Sequence, residues 1–225
     1  MIRPLFISVE GVDGSGKTSA IPIIVEAFKA HGIDIVTTRD PGGSPGGEAI
    51  RNIIKSRELG IERSTHFLLQ MASRNELVHK TILPHLKAGR CVVSDRYTDS
   101  TLVYQGAIDG FSEEIKAVWG TPAFSVHKGN PDYTFFMDVS EKTYTDRLAS
   151  RGLDNLEEIW QKQSVRPDAA YRMLLKDNPD VQAARAIIPI DADQSLDNVA
   201  QQIRSAISDI ILYEQHQATQ AASPK

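Results

Sequence analysis

Short apolar runs alternate with longer helical stretches along this chain. Leu5–Val9, Ile33–Thr38, Cys91–Ser94, Tyr133–Val139 and Ala186–Ile190 read as strands. Helices are predicted over Lys17–Ala30, Gly47–Ser56, Glu62–Lys87, Ser100–Gln105, Glu141–Ser150, Asp168–Lys176 and Ser195–Tyr213. Strands separated by helices imply βαβ units, hence an α/β fold with a mostly parallel five-stranded sheet covered on both faces. Pro22 falls in the first turns of its helix, where proline is better tolerated, whereas Pro84 should kink or unwind the long helix that contains it. No repeat and no linker rich in Gly, Pro or Ser divides the chain. Residues 1–213 are therefore expected to form one domain, and 214–225, with Gln, Ala, Thr and Ser but no large apolar residue after Gln215, a flexible tail.

The 225 residues carry 25 basic and 29 acidic side chains, a net charge of −4, with 41% hydrophobic residues. That is ordinary globular usage; it excludes disorder for most of the chain and argues against a basic arm for a nucleic-acid polymer. Cys91 is the only cysteine, so no intrachain disulfide forms and a reducing compartment fits. No apolar stretch reaches the roughly 18 residues of a membrane span, and Met1-Ile2-Arg3-Pro4 does not open a secretory signal. A soluble cytoplasmic protein is expected.

The chemistry is concentrated after the first strand. Gly11-Val12-Asp13-Gly14-Ser15-Gly16-Lys17-Thr18 is G-x-x-x-x-G-K-[ST] between a predicted strand and a predicted helix, the context that defines a phosphate-binding P-loop. Its glycines let successive N–H groups point inward at phosphate oxygens, and the following helix adds its positive end. Lys17 can reach the β- and γ-phosphates, and Thr18 can hold Mg²⁺. ATP or GTP binding follows. No N-K-x-D guanine signature is present, which leaves a small-molecule kinase or an ATPase module driven by a partner protein. The six histidines show no zinc-ligand spacing.

Five segments resemble the thymidylate kinase family, of the bacterial type, and the likeness runs from about Leu5 to Tyr213. They are Glu10–Thr18, Thr38-Arg-Asp-Pro-Gly-Gly43, Asp95-Arg-Tyr97 with Ser100-Thr101 and Tyr104-Gln105-Gly106, Pro131-Asp132 with Asp138-Val139, and Arg147 with Arg151-Gly152. The resemblance implies a three-layer P-loop kinase that moves the γ-phosphate of ATP to dTMP with Mg²⁺, as a homodimer to which Glu62–Lys87 contributes.

Each site residue has a physical reading beside the likeness. A carboxylate at Asp13 repels polyphosphate unless it answers another group; the resemblance gives it the sugar 3′-hydroxyl and the ordering of the metal site. Planar guanidinium forks suit a dianionic monophosphate. The resemblance assigns Arg96 and Arg51 to the acceptor phosphate and Arg74 to the thymine edge, with Arg39 as a further cation. Asp95 ends a strand and can reach Mg²⁺ through water. Thr101, Tyr104 and Gln105 recur at helical spacing and, with Ser100, are expected to face the nucleoside. The resemblance implies that Arg147 and Arg151 belong to a lid at about 147–160 and, with Gly14 rather than a basic residue in the P-loop, that this lid must supply transition-state charge. One departure stands out. Gln70 occupies the position, four before Arg74, where the family stacks a phenylalanine on thymine. It is still expected to point at the base, with Met71 covering part of the ring. Relaxed base choice, extending to dUMP or 5-modified dUMP, is the alternative reading.

Overall fold

The computed structural model describes residues 2–56, 58–119, 130–151 and 166–222. Five strands, β1 (Phe6–Glu10), β2 (Ile35–Arg39), β3 (Cys91–Asp95), β4 (Tyr133–Asp138) and β5 (Ala186–Asp191), form one parallel sheet in the order β2-β3-β1-β4-β5. The α/β reading and the five-stranded sheet hold.

The two-residue period of β1 explains both covering layers. Leu5, Ile7 and Val9 enter a core with Ile24 and Phe28 of α1 (Lys17–Ala30) and Ile203 and Ile207 of the last helix. Phe6 points the other way, with Val92, into a cluster with Leu77, Val78 and Ile82. Helices therefore cover both faces. Among the described residues the remaining helices are α2 (Pro45–Lys55), α3 (Arg63–Leu77), α4 (Leu83–Lys87), α5 (Thr98–Thr101), α6 (Ser112–Val118), α7 (Glu141–Arg151), α8 (Pro167–Leu175), α9 (Pro179–Ala184) and α10 (Leu196–Ala222).

The disturbance expected at Pro84 is a π-helical turn, Val78–Ile82, between α3 and α4. A proline has no N–H to give to the preceding turn and its ring crowds that turn's carbonyl, so the ladder there widens. The chain end departs from expectation. Helix α10 continues past Tyr213 to Ala222, and buried Glu214 accepts from Arg3 Nε and from the Tyr133 hydroxyl, so residues 214–222 are helix rather than loose tail.

From β1 the chain crosses to β2 on one side, and from β3 it crosses over β1 to β4 on the other. The order thus reverses between β1 and β3. Ligands of open α/β sheets bind outside the carboxyl ends of such a pair. Here those ends carry Glu10 and the P-loop on one side, and Asp95 and Arg96 on the other.

Candidate active site

A cavity of about 590 Å³ opens at this switch point, within the range of small-molecule sites. Asp13, Gly14, Gly16, Lys17, Thr18, Asp95, Arg96 and Arg147 line it beside the P-loop; Arg39, Asp40, Pro41, Arg51, Ile54, Lys55, His66 and Gln70 come from β2, α2, α3 and the loops beside them, and Ser100, Tyr104 and Gln105 from the segment after β3.

The P-loop has the predicted strand and helix on either side. Gly11 has φ +141, and an added Cβ would lie 2.8 Å from the Met137 carbonyl oxygen, so both conformation and space require glycine. Gly16 caps α1 in the left-handed region. Lys17 is buried, donating to the Gly11 and Val12 carbonyls at 3.0 and 2.8 Å. Burial, assisted by the neighbouring Arg96 charge, lowers its pKa to about 8. Gly11, Val12 and Ser15 shape the loop from behind rather than lining the cavity.

Arg96 is the most constrained cation. Among the described residues it is the one non-glycine with positive φ, +68, a conformation that costs about 1–2 kcal/mol. Its Nη2 donates to Asp13 Oδ1 at 2.6 Å, and its Nη1 donates at 3.0 Å to the Gly11 carbonyl, Ser100 Oγ and the Tyr171 hydroxyl. The guanidinium also lies 5.3 Å from the centre of the Tyr104 ring. Behind it, Glu10 accepts from the Tyr97 N–H, Ser100 Oγ and the Tyr171 hydroxyl at 2.7, 2.7 and 3.0 Å. Burial, with Asp99 nearby, pushes the Glu10 carboxyl up to about 7 despite the Arg96 charge. Asp99 is itself ion-paired with buried Arg185.

The other predicted cations divide. Arg39 forms a fork with Glu48, which also accepts from the Gly43 N–H; these bonds hold Glu48 down to about 2. Arg51 donates to the Pro41 carbonyl at 2.8 Å while lining the cavity, and burial followed by the Arg39 charge lowers its pKa. Arg147 reaches from α7 to the Gly14 carbonyl at 3.2 Å and the Ala192 carbonyl at 3.0 Å. The Arg151 side chain and residues 152–160 of the expected lid lie outside the described residues.

Arg74 lies behind the cavity wall. It is completely buried, does not line the cavity, and donates to Asp40 Oδ2 at 2.5 Å, the Tyr97 carbonyl at 3.2 Å and Thr101 Oγ1 at 2.6 Å. It braces Asp40, which in turn accepts from Gln70. Thr101 is likewise buried on that side instead of facing the cavity. A second π-helical stretch, Leu102–Ile108, follows, in which hydrogen bonds run between residues five apart and the turn is wider than in an α-helix. Ser100, Tyr104 and Gln105 share the cavity face, and Thr101 is turned away.

Gln70 lines the cavity, with its Nε2 donating to Asp40 Oδ1 at 3.1 Å. Met71 does not cover a ring there; it packs with Phe67 and Ile115. His66, one turn before Gln70, is a cavity residue that sequence reasoning missed, although its four-residue spacing from Gln70 was the available signal. Tyr171 and Glu10 were also missed as parts of the Arg96 support. The Tyr171 contact spans 161 residues and has no local signature.

The donor set suits a hard divalent cation carried by a nucleotide. Asp95 Oδ1 is buried without a hydrogen-bond partner among the described residues, and Thr18 lines the same cavity. Among the described residues no group of three or more Asp, Glu, His or Cys could hold a metal ion. Among the same residues no helix is long and apolar enough to cross a membrane.

The family model described as thymidylate kinase matches residues 9–203. The thymidylate kinase of Thermosipho africanus (strain TCF52B) is 34% identical over 205 residues, covering 90% of this chain and 97% of that protein. Those of Colwellia psychrerythraea (strain 34H / ATCC BAA-681) and Leuconostoc citreum (strain KM20) are 36% identical over 208 residues and 35% over 217. These alignments cover 90% and 94% of this chain, and 93% and 98% of those proteins.

Proposed function

The chain belongs to the thymidylate kinase family, and on that premise we propose that it transfers the γ-phosphoryl group of ATP to dTMP, giving ADP and dTDP. One observation carries the reading: a single cavity joins a P-loop to an anchored guanidinium, Arg96, and continues to a polar wall at Asp40, His66 and Gln70.

The acceptor phosphate is already an anionic nucleophile, so catalysis is mainly alignment and charge neutralisation. The P-loop main chain and Lys17 receive the ATP phosphates, with the Lys17 ammonium exchanging two carbonyls for phosphate oxygens. Arg96, with Arg51 beside it, meets the acceptor phosphate. Its preset hydrogen bonds mean that little reorganisation is needed as charge develops. Asp13 fixes Arg96 and faces the acceptor sugar. Arg147, already at the P-loop, supplies charge from the ATP side, and Arg151 follows one turn later. Tyr104 and Gln105 screen the nucleoside, and Arg39 adds positive potential at the rim. Mg²⁺ would be held by Thr18 and Asp95 and would neutralise the transferring phosphates.

The same reading places the enzyme in the cytoplasm, as expected of nucleotide synthesis. It also makes the protein a homodimer, with Leu68 on α3, 63% exposed, as a contact residue. Incubation with γ-labelled ATP and dTMP should move the label into dTDP. Label recovered only as inorganic phosphate would replace the kinase with an ATPase.

A further inference from the structure

Residues 40–43 leave β2 and lead toward α2, and one face of α3 grips them. Gln70, Ser73 and Arg74 recur at helical spacing on that face. Gln70 and Arg74 donate to the Asp40 carboxylate, while the hydroxyl of fully buried Ser73 accepts the Gly42 N–H at 2.9 Å. Ser73 Oγ gives its own proton to the Gly47 carbonyl, 3.4 Å away, so a lone pair is left for Gly42.

The Gly42 N–H is one end of a planar peptide unit whose other end is the Pro41 carbonyl. The unit is trans, so its two ends point in opposite directions. That carbonyl accepts Arg51 Nη1 at 2.8 Å. A single peptide plane thus connects a hydroxyl behind the cavity wall to a guanidinium that lines the cavity.

The local chain does not fix that plane. Gly42 has φ +123, and glycine accepts either sign of φ, so the unit can turn without a side-chain barrier at that position. The units that follow are held separately: the Gly43 N–H donates to Glu48 Oε1 at 2.8 Å, and the Gly43 carbonyl accepts from Thr81 Oγ1 at 2.6 Å. Arg51, for its part, is disfavoured where it stands by burial and by the charges of Arg39 and Arg96. Its aim therefore depends on an acceptor turned toward it. We propose that Ser73 is a positioning residue: through the Pro41–Gly42 peptide it aims Arg51 at the acceptor phosphate. The assignment rests on the reading of Arg51 as a cation for that phosphate.

The test is steady-state kinetics, with dTMP and ATP each varied at saturation of the other, on wild type, Ser73→Ala, Ser73→Cys, Arg51→Ala and the double alanine variant. Ser73→Ala should lower kcat/KM for dTMP about 3- to 10-fold, the scale of one hydrogen bond, chiefly by raising KM for dTMP. KM for ATP should move less than about twofold, whereas a general loosening of the fold would raise both. A thiol keeps a weak acceptor at the same place, so Ser73→Cys should recover part of the loss. With Arg51 already alanine, Ser73→Ala should change kcat/KM for dTMP less than about twofold, because its effect passes through Arg51. An unmoved KM for dTMP in Ser73→Ala, an equal rise in KM for ATP, or the same loss in both backgrounds overturns the assignment. If Ser73→Ala does not fold, Ser73→Cys replaces it in the cycle, with a smaller loss for dTMP, and the same outcomes decide. An Arg51→Ala enzyme with wild-type KM for dTMP defeats the reading of Arg51 and the role of Ser73 with it. Absence of dTMP turnover in wild type defeats the reading of the whole site.

Discussion

Arg96 and Asp13 meet at 2.6 Å across the crevice between β1 and β3, and Arg96 does so from a left-handed backbone conformation. One residue belongs to the P-loop after β1 and the other directly follows β3. Their bond therefore sets the distance between the two halves of the site. Asp13→Asn removes the charge from a charge-assisted bond worth about 1.5–3 kcal/mol. At saturating ATP, kcat/KM for dTMP should fall about 10- to 100-fold. An unchanged value would mean that Ser100, Tyr171 and the Gly11 carbonyl suffice to hold Arg96.

Lys17 makes ATP capture dependent on pH. Burial lowers its pKa from 10.5 to about 8, so in the free enzyme the ammonium is lost as pH rises through that value. The unfolded chain then binds more protons than the folded one between about 8 and 10.5, and this group makes stability rise with pH across that window. Activity should move the other way. The kcat/KM for ATP should decline above about pH 8, while a folded Lys17→Ala protein shows no turnover at any pH. A flat profile from pH 7 to 10 would separate Lys17 from phosphate binding.

Arg74 and Asp40 form an ion pair with no solvent exposure on either side chain. Removing one partner strands the other, a loss of roughly 3–5 kcal/mol. Arg74→Ala should lower the stability measured by urea unfolding by that amount, and in the protein that remains folded the ratio of kcat/KM for dTMP and dUMP should be little changed. Wild-type stability with altered base choice would restore Arg74 to the base edge.

Arg147 already donates to the Gly14 carbonyl, in a P-loop that carries no cation at position 14. Arginines acting on phosphoryl transfer are worth about 10³–10⁵ in rate. Arg147→Ala combined with Arg151→Ala should lower kcat far more than it raises the KM for dTMP. Retention of more than about a tenth of wild-type kcat would place the transition-state charge elsewhere.

The strand–loop–helix around Lys17 was legible because its signals are local: an apolar run, glycines at fixed spacing and a helix start. The sheet was legible for the same reason, as each strand is a short run bounded by turns. The face presented by residues 100–105 was not: Thr101 turned away, and the π-helical stretch that follows departs from the period that sequence patterns assume. The Arg74 ion pair was not legible because its partner, Asp40, lies 34 residues earlier in the chain and in another element. Helix α10 outlasted its apolar pattern, and Glu214, past the expected end, is held by Arg3 and Tyr133 from the far side of the sequence. Pairings over such separations leave no periodic trace.

The most direct measurement is coupled ADP release with ATP, Mg²⁺ and a panel of deoxynucleoside monophosphates, comparing wild type with Arg96→Ala. Wild type should turn over dTMP in preference to dAMP, dGMP and dCMP, and Arg96→Ala should lose at least about a hundredfold in kcat/KM. ADP release at the same rate with and without any monophosphate, or full activity in Arg96→Ala, would contradict the proposed reaction.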